Sequence, residues 1–175
     1  ELDWERECGA GAACFSPAGD LLAVGGDELS IFSEGGERLK ADPLPEDWPQ
    51  AEHAALRFAD RGRILAGFVR SFSRPEADRC ALVLWHREGD HWTLQRLERL
   101  PAAQFGVFSR DGAWLATVGA EPGVRLHEML AGRSSPLLAR STSGLGAFRF
   151  LPDGETAVAQ VGDERFFIPW RLLLR

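Results

Sequence analysis

The sequence predicts an all-β chain built from four copies of one small sheet, and three observations carry that expectation. Phe15, Phe58, Phe108 and Phe150 each stand four residues before a glycine, at Gly19, Gly62, Gly112 and Gly154. A short apolar run follows each of these glycines. The phenylalanines are spaced by 43, 50 and 42 residues, close to the period of about 40–45 residues of a β-propeller blade.

In each copy a strand carrying the phenylalanine runs into a tight turn. The copies read CFSPAGDLLAVGG from Cys14, RFADRGRILAGF from Arg57, VFSRDGAWLATVG from Val107 and RFLPDGETAVAQVG from Arg149. Asp111-Gly112 and Asp153-Gly154 are hairpin dipeptides, because glycine accepts positive φ. Pro17 and Pro152 favour the turn and block strand continuation. The second strand is apolar on both faces: Leu21 to Val24, Ile64 to Ala66, Trp114 to Val118. That pattern fits a sheet covered on both sides, and Ala23, Ala66 and Ala116 share one offset where sheets approach closely. A third strand is expected at Leu29 to Phe32, Ala81 to Trp85, Val124 to His127 and Arg165 to Ile168. A fourth, more polar and facing solvent, is expected at Glu37 to Lys40, Trp92 to Leu97, Pro136 to Arg140 and Arg171 to Leu174. Four strands per copy make a propeller blade, with blades at about 11–45, 53–100, 103–141 and 145–175. The four phenylalanines read as core anchors.

Composition narrows the classes. At 175 residues and 45% hydrophobic the chain can bury one substantial core. The net charge of −6 argues against binding nucleic acid, which needs a basic surface. Nineteen of the twenty basic residues are arginine, Lys40 being the exception, which suits bidentate contacts to carboxylates. No apolar run approaches the ~20 residues needed to span a bilayer, so no membrane contact is expected. The opening ELDWERE is acidic and polar, unlike a signal peptide. The chain opens on Glu1 rather than methionine, as a trimmed chain or a piece of a longer one would. Cys8, Cys14 and Cys80 contain no CxxC pair and fit a reducing cytoplasm better than a disulfide framework. Cys14 reads as a small core residue.

On the Phe-Ser-Pro-x-Gly and Phe-Ser-Arg-Asp-Gly turns, the Leu-Ala that follows and the aromatic near the end of the third strand, residues 10 to 170 resemble the WD-repeat β-propellers. The likeness is to a divergent, bacterial type. The Trp-Asp pair is missing, its places holding Phe32-Ser33, Trp85-His86, His127-Glu128 and Pro169-Trp170. The Gly-His pair before the first strand is missing too, so the usual buried tetrad cannot form in its usual version. Family members usually have seven blades, and this chain has room for four. It is then a stretch of a longer propeller, a half-ring completed by another chain or a second copy, or a small closed ring. The partial ring is the favoured form, because an unclosed stack leaves apolar sheet faces bare.

The longest insertion lies in copy 2, FVRSFSRPEADRC between Gly67 and Ala81, and the resemblance places it on the face where partners bind. It carries Arg70, Phe72, Arg74 and Arg79, a hot-spot composition of arginine with an exposed aromatic. Trp48, in PLPEDWPQ between copies 1 and 2, is a further candidate partner contact, or else packs on its own loop. Cys80, His86 and His91 match no zinc spacing, and no metal or other cofactor is expected. No Gly-x-Ser-x-Gly elbow, His-Glu-x-x-His helix or phosphate loop occurs. The expected function is a non-enzymatic interaction, scaffold or sensor module with protein partners. By resemblance, such parts in bacteria are often joined to an effector domain. The alternative is a ligand-binding, hydrolase or lyase propeller using a central funnel, against which the small or apolar residues Ala13, Leu56, Gly106 and Phe148 on the innermost strands count.

Overall fold

The computed structural model describes residues 12–48, 51–75, 78–101, 103–119, 123–135, 139–140, 147–161 and 164–171. They form fifteen strands, with a short 3-10 turn at Asp60–Gly62. Two compact units divide at Pro101.

The first unit holds copies 1 and 2. Copy 1 supplies β1 (Ala13–Phe15), β2 (Leu21–Gly25), β3 (Leu29–Ser33) and β4 (Arg38–Ala41); copy 2 supplies β5 (Ala51–Ala59), β6 (Ile64–Ser71), β7 (Cys80–Glu88) and β8 (His91–Arg99). Each copy is an antiparallel meander, but the order β1-β2-β3-β4-β8-β7-β6-β5 joins the two into one eight-stranded sheet. The join is a parallel pairing of the outer strands, Lys40 with His91 and Ala41 with Trp92. Both outer edges, expected to face solvent, thereby cover one another, which removes two unpaired rows of backbone groups. At the inner end Ala12 N–H donates to the His53 carbonyl at 3.2 Å, and His53 N–H donates to the Gly26 carbonyl at 3.2 Å. Between these seams lies one apolar core: Leu21, Ala23, Ile31, Trp48, Leu56, Phe58, Leu65, Val69, Val83, Trp85 and Trp92.

Local chemistry explains the strands. β6 and most of β7 are buried on consecutive residues, the double-sided burial read from Ile64 to Ala66. In β5 the pairing slips between His53 and Ala55. This bulge switches the inward parity, so that His53 and Leu56 are both buried with Ala54 turned out. The repeat turns use Gly19, Gly62, Gly112 and Gly154 at φ 79, 87, 69 and 71°, the left-handed region that costs glycine nothing. Each phenylalanine-serine pair adds a lock: Ser16 Oγ accepts from Leu21 N–H at 3.1 Å and Ser109 Oγ from Trp114 N–H at 3.0 Å. In copy 4 the Asp153 carboxylate does the same for Glu155 and Thr156 N–H.

The second unit holds copies 3 and 4. Its four-stranded sheet runs β12-β11-β10-β9, from β9 (Ala103–Phe108), β10 (Trp114–Gly119), β11 (Gly123–Glu128) and β12 (Ala139–Arg140); its three-stranded sheet runs β13-β14-β15, from β13 (Ala147–Phe150), β14 (Ala157–Val161) and β15 (Glu164–Ile168). Their core joins Ala116, Val118, Val124, Leu126, Phe148, Ala157, Ala159 and Trp170. Of the strand expected over Arg171 to Leu174, Arg171 lies in a helical turn with Trp170 after Pro169, and 172–175 fall outside the described residues.

The phenylalanines divide. Phe58 is buried, Phe108 and Phe150 half-buried, and Phe15 is 67% exposed. The core role expected of Phe15 does not hold, because on the terminal strand β1 the alternation turns Cys14 toward the core and Phe15 away from it.

Candidate functional site

The long insertion mostly extends a hairpin. β6 continues to Ser71 and β7 begins at Cys80, with Arg70 opposite Cys80 and Val69 opposite Ala81. Arg70 therefore sits in a strand, and the free end runs from Phe72 to Arg79, with 76–77 outside the described residues. Ser71 N–H donates to the Arg79 carbonyl at 2.8 Å, and Asp78 N–H to Pro75 at 2.9 Å.

Phe72 stands out from this end at 58% exposed. The Arg70 guanidinium lies 4.7 Å from its ring centroid and 3.3 Å from Glu52 across β5. Arg74 lies 4.7 Å over the Trp48 ring and donates to the Asp47 backbone carbonyl at 2.5 Å. Trp48 itself is only 3% exposed and belongs to the first unit's core. It forms the floor beneath Arg74, whose own side chain is mostly buried. Arg99 adds ion pairs to Asp47 and Asp78 at 3.5 and 3.7 Å. The Nε atoms of Arg70, Arg74 and Arg79 are all buried without a hydrogen-bond partner. Thus Arg70, Phe72, Arg74 and Arg79 gather at one hairpin end, with Trp48 below.

Cys80, His86 and His91 do not gather. Cys80 and His86 are six residues apart on β7, about 20 Å at strand rise. Burial pushes the Cys80 thiol up to about 11, against the downward pull of Arg70 and Arg79. His91 instead meets Asp42, its Nε2 2.9 Å from Oδ1.

Asp42 was not singled out by sequence, and it ties copy 1 to copy 2. Its Oδ2 accepts from Leu94 N–H at 2.9 Å, its carbonyl from Trp85 Nε1–H at 3.0 Å, and its own N–H donates to the Trp92 carbonyl at 2.8 Å. The Leu94 N–H above all holds its carboxyl below the usual range; burial opposes it, and His91 and Lys40 add to the lowering. In copy 3 the Trp-Asp place is taken by His127, which bridges Thr117 Oγ1 at 2.9 Å and Ser134 Oγ at 2.8 Å. The usual tetrad is absent from these residues, yet a buried polar bridge joins β10 to β11. A serine or threonine opposite a histidine was the only sequence signal for it.

No family model and no curated protein matches the chain. Solved structures do, and they are WD40 β-propellers. A chain of the mitotic checkpoint complex crystal structure superposes with a TM-score of 0.62 at 12% identity, over 92% of this chain and 48% of that one. The β-propeller domain of Cps50 (Swd1) from Myceliophteria thermophila superposes with a TM-score of 0.63 at 15% identity, over 90% of this chain and 49% of that one. The chain is all-β with propeller neighbours and spans about half their length. Among the described residues no helix is long and apolar enough to cross a membrane.

Proposed function

We propose that the chain is a non-enzymatic protein-interaction module, a scaffold or sensor part of a larger cytoplasmic protein or complex, whose partner surface is the β6–β7 end. The carrying observation is the 58% exposed Phe72 beside arginines that Glu52, Asp47 and Trp48 hold in place. A pre-ordered arginine next to an exposed ring loses little side-chain freedom on binding. A structural neighbour that is a component of an assembly, the mitotic checkpoint complex, supports the same reading. The test is capture from the native source on wild type and on Phe72→Ser, with circular dichroism confirming the fold. Loss of specific partners from the variant is expected, and an unchanged set overturns the assignment.

The blades at 11–45, 53–100, 103–141 and 145–175 are proposed as one part of a propeller, completed by a second part or a second copy. The half-length match and the exposure of Phe15 and Phe167, at 67 and 69%, support this, since bare apolar groups favour association. Sedimentation should show self-association or assembly with the missing part, and a monodisperse monomer that stays so with its native partners present overturns it.

A further inference from the structure

We infer that the bare face of the copy 1 sheet docks on copy 4 of a second copy of this chain, with Phe15, Leu22 and Phe32 of one chain lying against Val158 and Phe167 of the other. This rests on the reading of the four blades as one part of a propeller, and it names what completes them.

The repeat supplies the template. Residues directly opposite one another across a sheet share a face, and successive residues alternate. One face of each copy therefore carries a row with the repeat phenylalanine. In copy 2 it is Phe58, Leu65 and Trp85; in copy 4 it is Phe150, Ala157 and Ile168. The reverse face carries a second row: Cys14, Ala23 and Ile31 in copy 1, and Val107, Ala116 and Leu126 in copy 3. Inside each unit a phenylalanine row packs under a reverse row. Phe58, Leu65 and Trp85 share a core with Ala23 and Ile31; Phe150, Ala157 and Ile168 share one with Ala116 and Leu126. The cover thus comes from the reverse face of the copy before.

Among the described residues no reverse row covers copy 1. Its phenylalanine row is Phe15, Leu22 and Phe32, with Ala13, Val24 and Ser30 beside it on the same face, and none of the six is buried. The reverse row of copy 4 is Arg149, Val158 and Phe167, and none of these is buried either. Phe15 and Phe167 are the two most exposed large apolar side chains among the described residues. The sizes compensate. Phe32 stands where copy 2 has Trp85, so the row to be covered is smaller. Val158 and Phe167 stand where copy 1 has Ala23 and Ile31, so the covering row is larger, and the summed volume is kept. Arg149 takes the place of Cys14, which lies against Phe58; at that margin its stem can lie along Phe15 with the guanidinium in water. The chain spans 48 and 49% of its structural neighbours, so a second copy supplies the missing length. Head to tail, two chains make the contact twice and hold eight blades, within the roughly four to eight of propellers.

The experiment is analytical ultracentrifugation of the purified chain over a concentration series, with circular dichroism confirming each variant's fold. Wild type is expected to form two-chain particles. Phe15→Asp alone and Phe167→Asp alone should each associate at least about tenfold more weakly, because a carboxylate would be buried without a partner. An equimolar mixture of the two variants should regain association, since the intact Phe15 face of one chain meets the intact Phe167 face of the other. It should stay weaker than wild type, having one contact in place of two. Leu130→Ser, exposed but on neither face, should sediment as wild type; an equal loss there would mean general stickiness and overturn the inference. Dissociation by Phe15→Asp with no effect of Phe167→Asp would mean that two copy 1 faces meet each other, which also overturns it. A wild-type monomer that assembles with native partners through Phe15 would leave the partial-propeller reading standing and sink only the second copy. A monomer that remains one with those partners present sinks both.

Discussion

Copies 1 and 2 solve the problem of a small sheet differently from copies 3 and 4. The first unit joins its sheets through backbone, with β4 paired to β8 and Ala12, His53 and Gly26 linked at the other end. The second is held by aromatic side chains: Trp170 meets Trp114 at 5.5 Å and Phe150 at 5.2 Å, and Phe150 meets Phe148 at 5.3 Å. Arg171 closes it, stacked 5.1 Å over Trp170 while donating to the Gly154 carbonyl at 2.6 Å and pairing with Asp111 at 3.5 Å. One repeat thus tolerates two ways of completing its core.

The largest effects separate the two devices. Trp170→Ala should cost about 3–5 kcal/mol and raise hydrogen exchange in 103–171 first. Trp85→Ala, equally large, should act first on 12–101. If both variants loosen the same residues, the two units are not separately held.

Gly25→Ala should cost about 1–3 kcal/mol through overpacking, because a Cβ at Gly25 would stand 2.4 Å from the His53 Cβ. Urea unfolding checks it, and a neutral result would mean that the inner seam yields easily. Thr117→Val should cost about 1–2 kcal/mol by leaving buried His127 without one partner. The effect should be confined to exchange in the second unit.

Acid should distinguish the units more finely. Burial lowers the His53 pKa, against the opposing pull of the Gly26 carbonyl and Asp27. The unfolded chain takes up this proton near about 6.5. The stabilisation is therefore complete above that pH and is lost as pH falls from there through the lower folded value. Protonation would also put a second N–H on Nε2, which is buried without a partner. Exchange in 12–101 should rise in mildly acidic solution, before the carboxylate range. In the second unit the loss should wait for Asp153 and Asp111. Backbone N–H groups of Thr156 and Glu155 lower the first; burial works to raise the second, but the Ser109 hydroxyl, the Ala113 N–H, its own backbone and Arg171 together outweigh it and leave it lowered. His53→Gln should remove the early step. The smallest effect is expected at Phe72→Ser, within about 0.5 kcal/mol, since an exposed ring contributes to partners rather than to the core.

The sequence by itself determined the repeat, the turns and nearly every strand. A glycine at positive φ and a two-sided apolar run are local requirements, legible without any neighbour. It also brought Arg70, Phe72, Arg74 and Arg79 into one short segment, where chain connectivity alone keeps them close. The tertiary structure decided the rest. Trp48 and Trp170 look alike as isolated tryptophans, and only packing puts the first under Arg74 and the second at the centre of an aromatic cluster. Asp42 is an ordinary loop acid until β4 lies beside β8, 49 residues away from His91 in sequence. Phe15 matches Phe58 in the repeat but differs in burial, because β1 turns it away from the shared core. Periodicity records the conformation each residue must adopt; burial, edge pairing and charge balance depend on residues far along the chain, which only the folded molecule brings into contact.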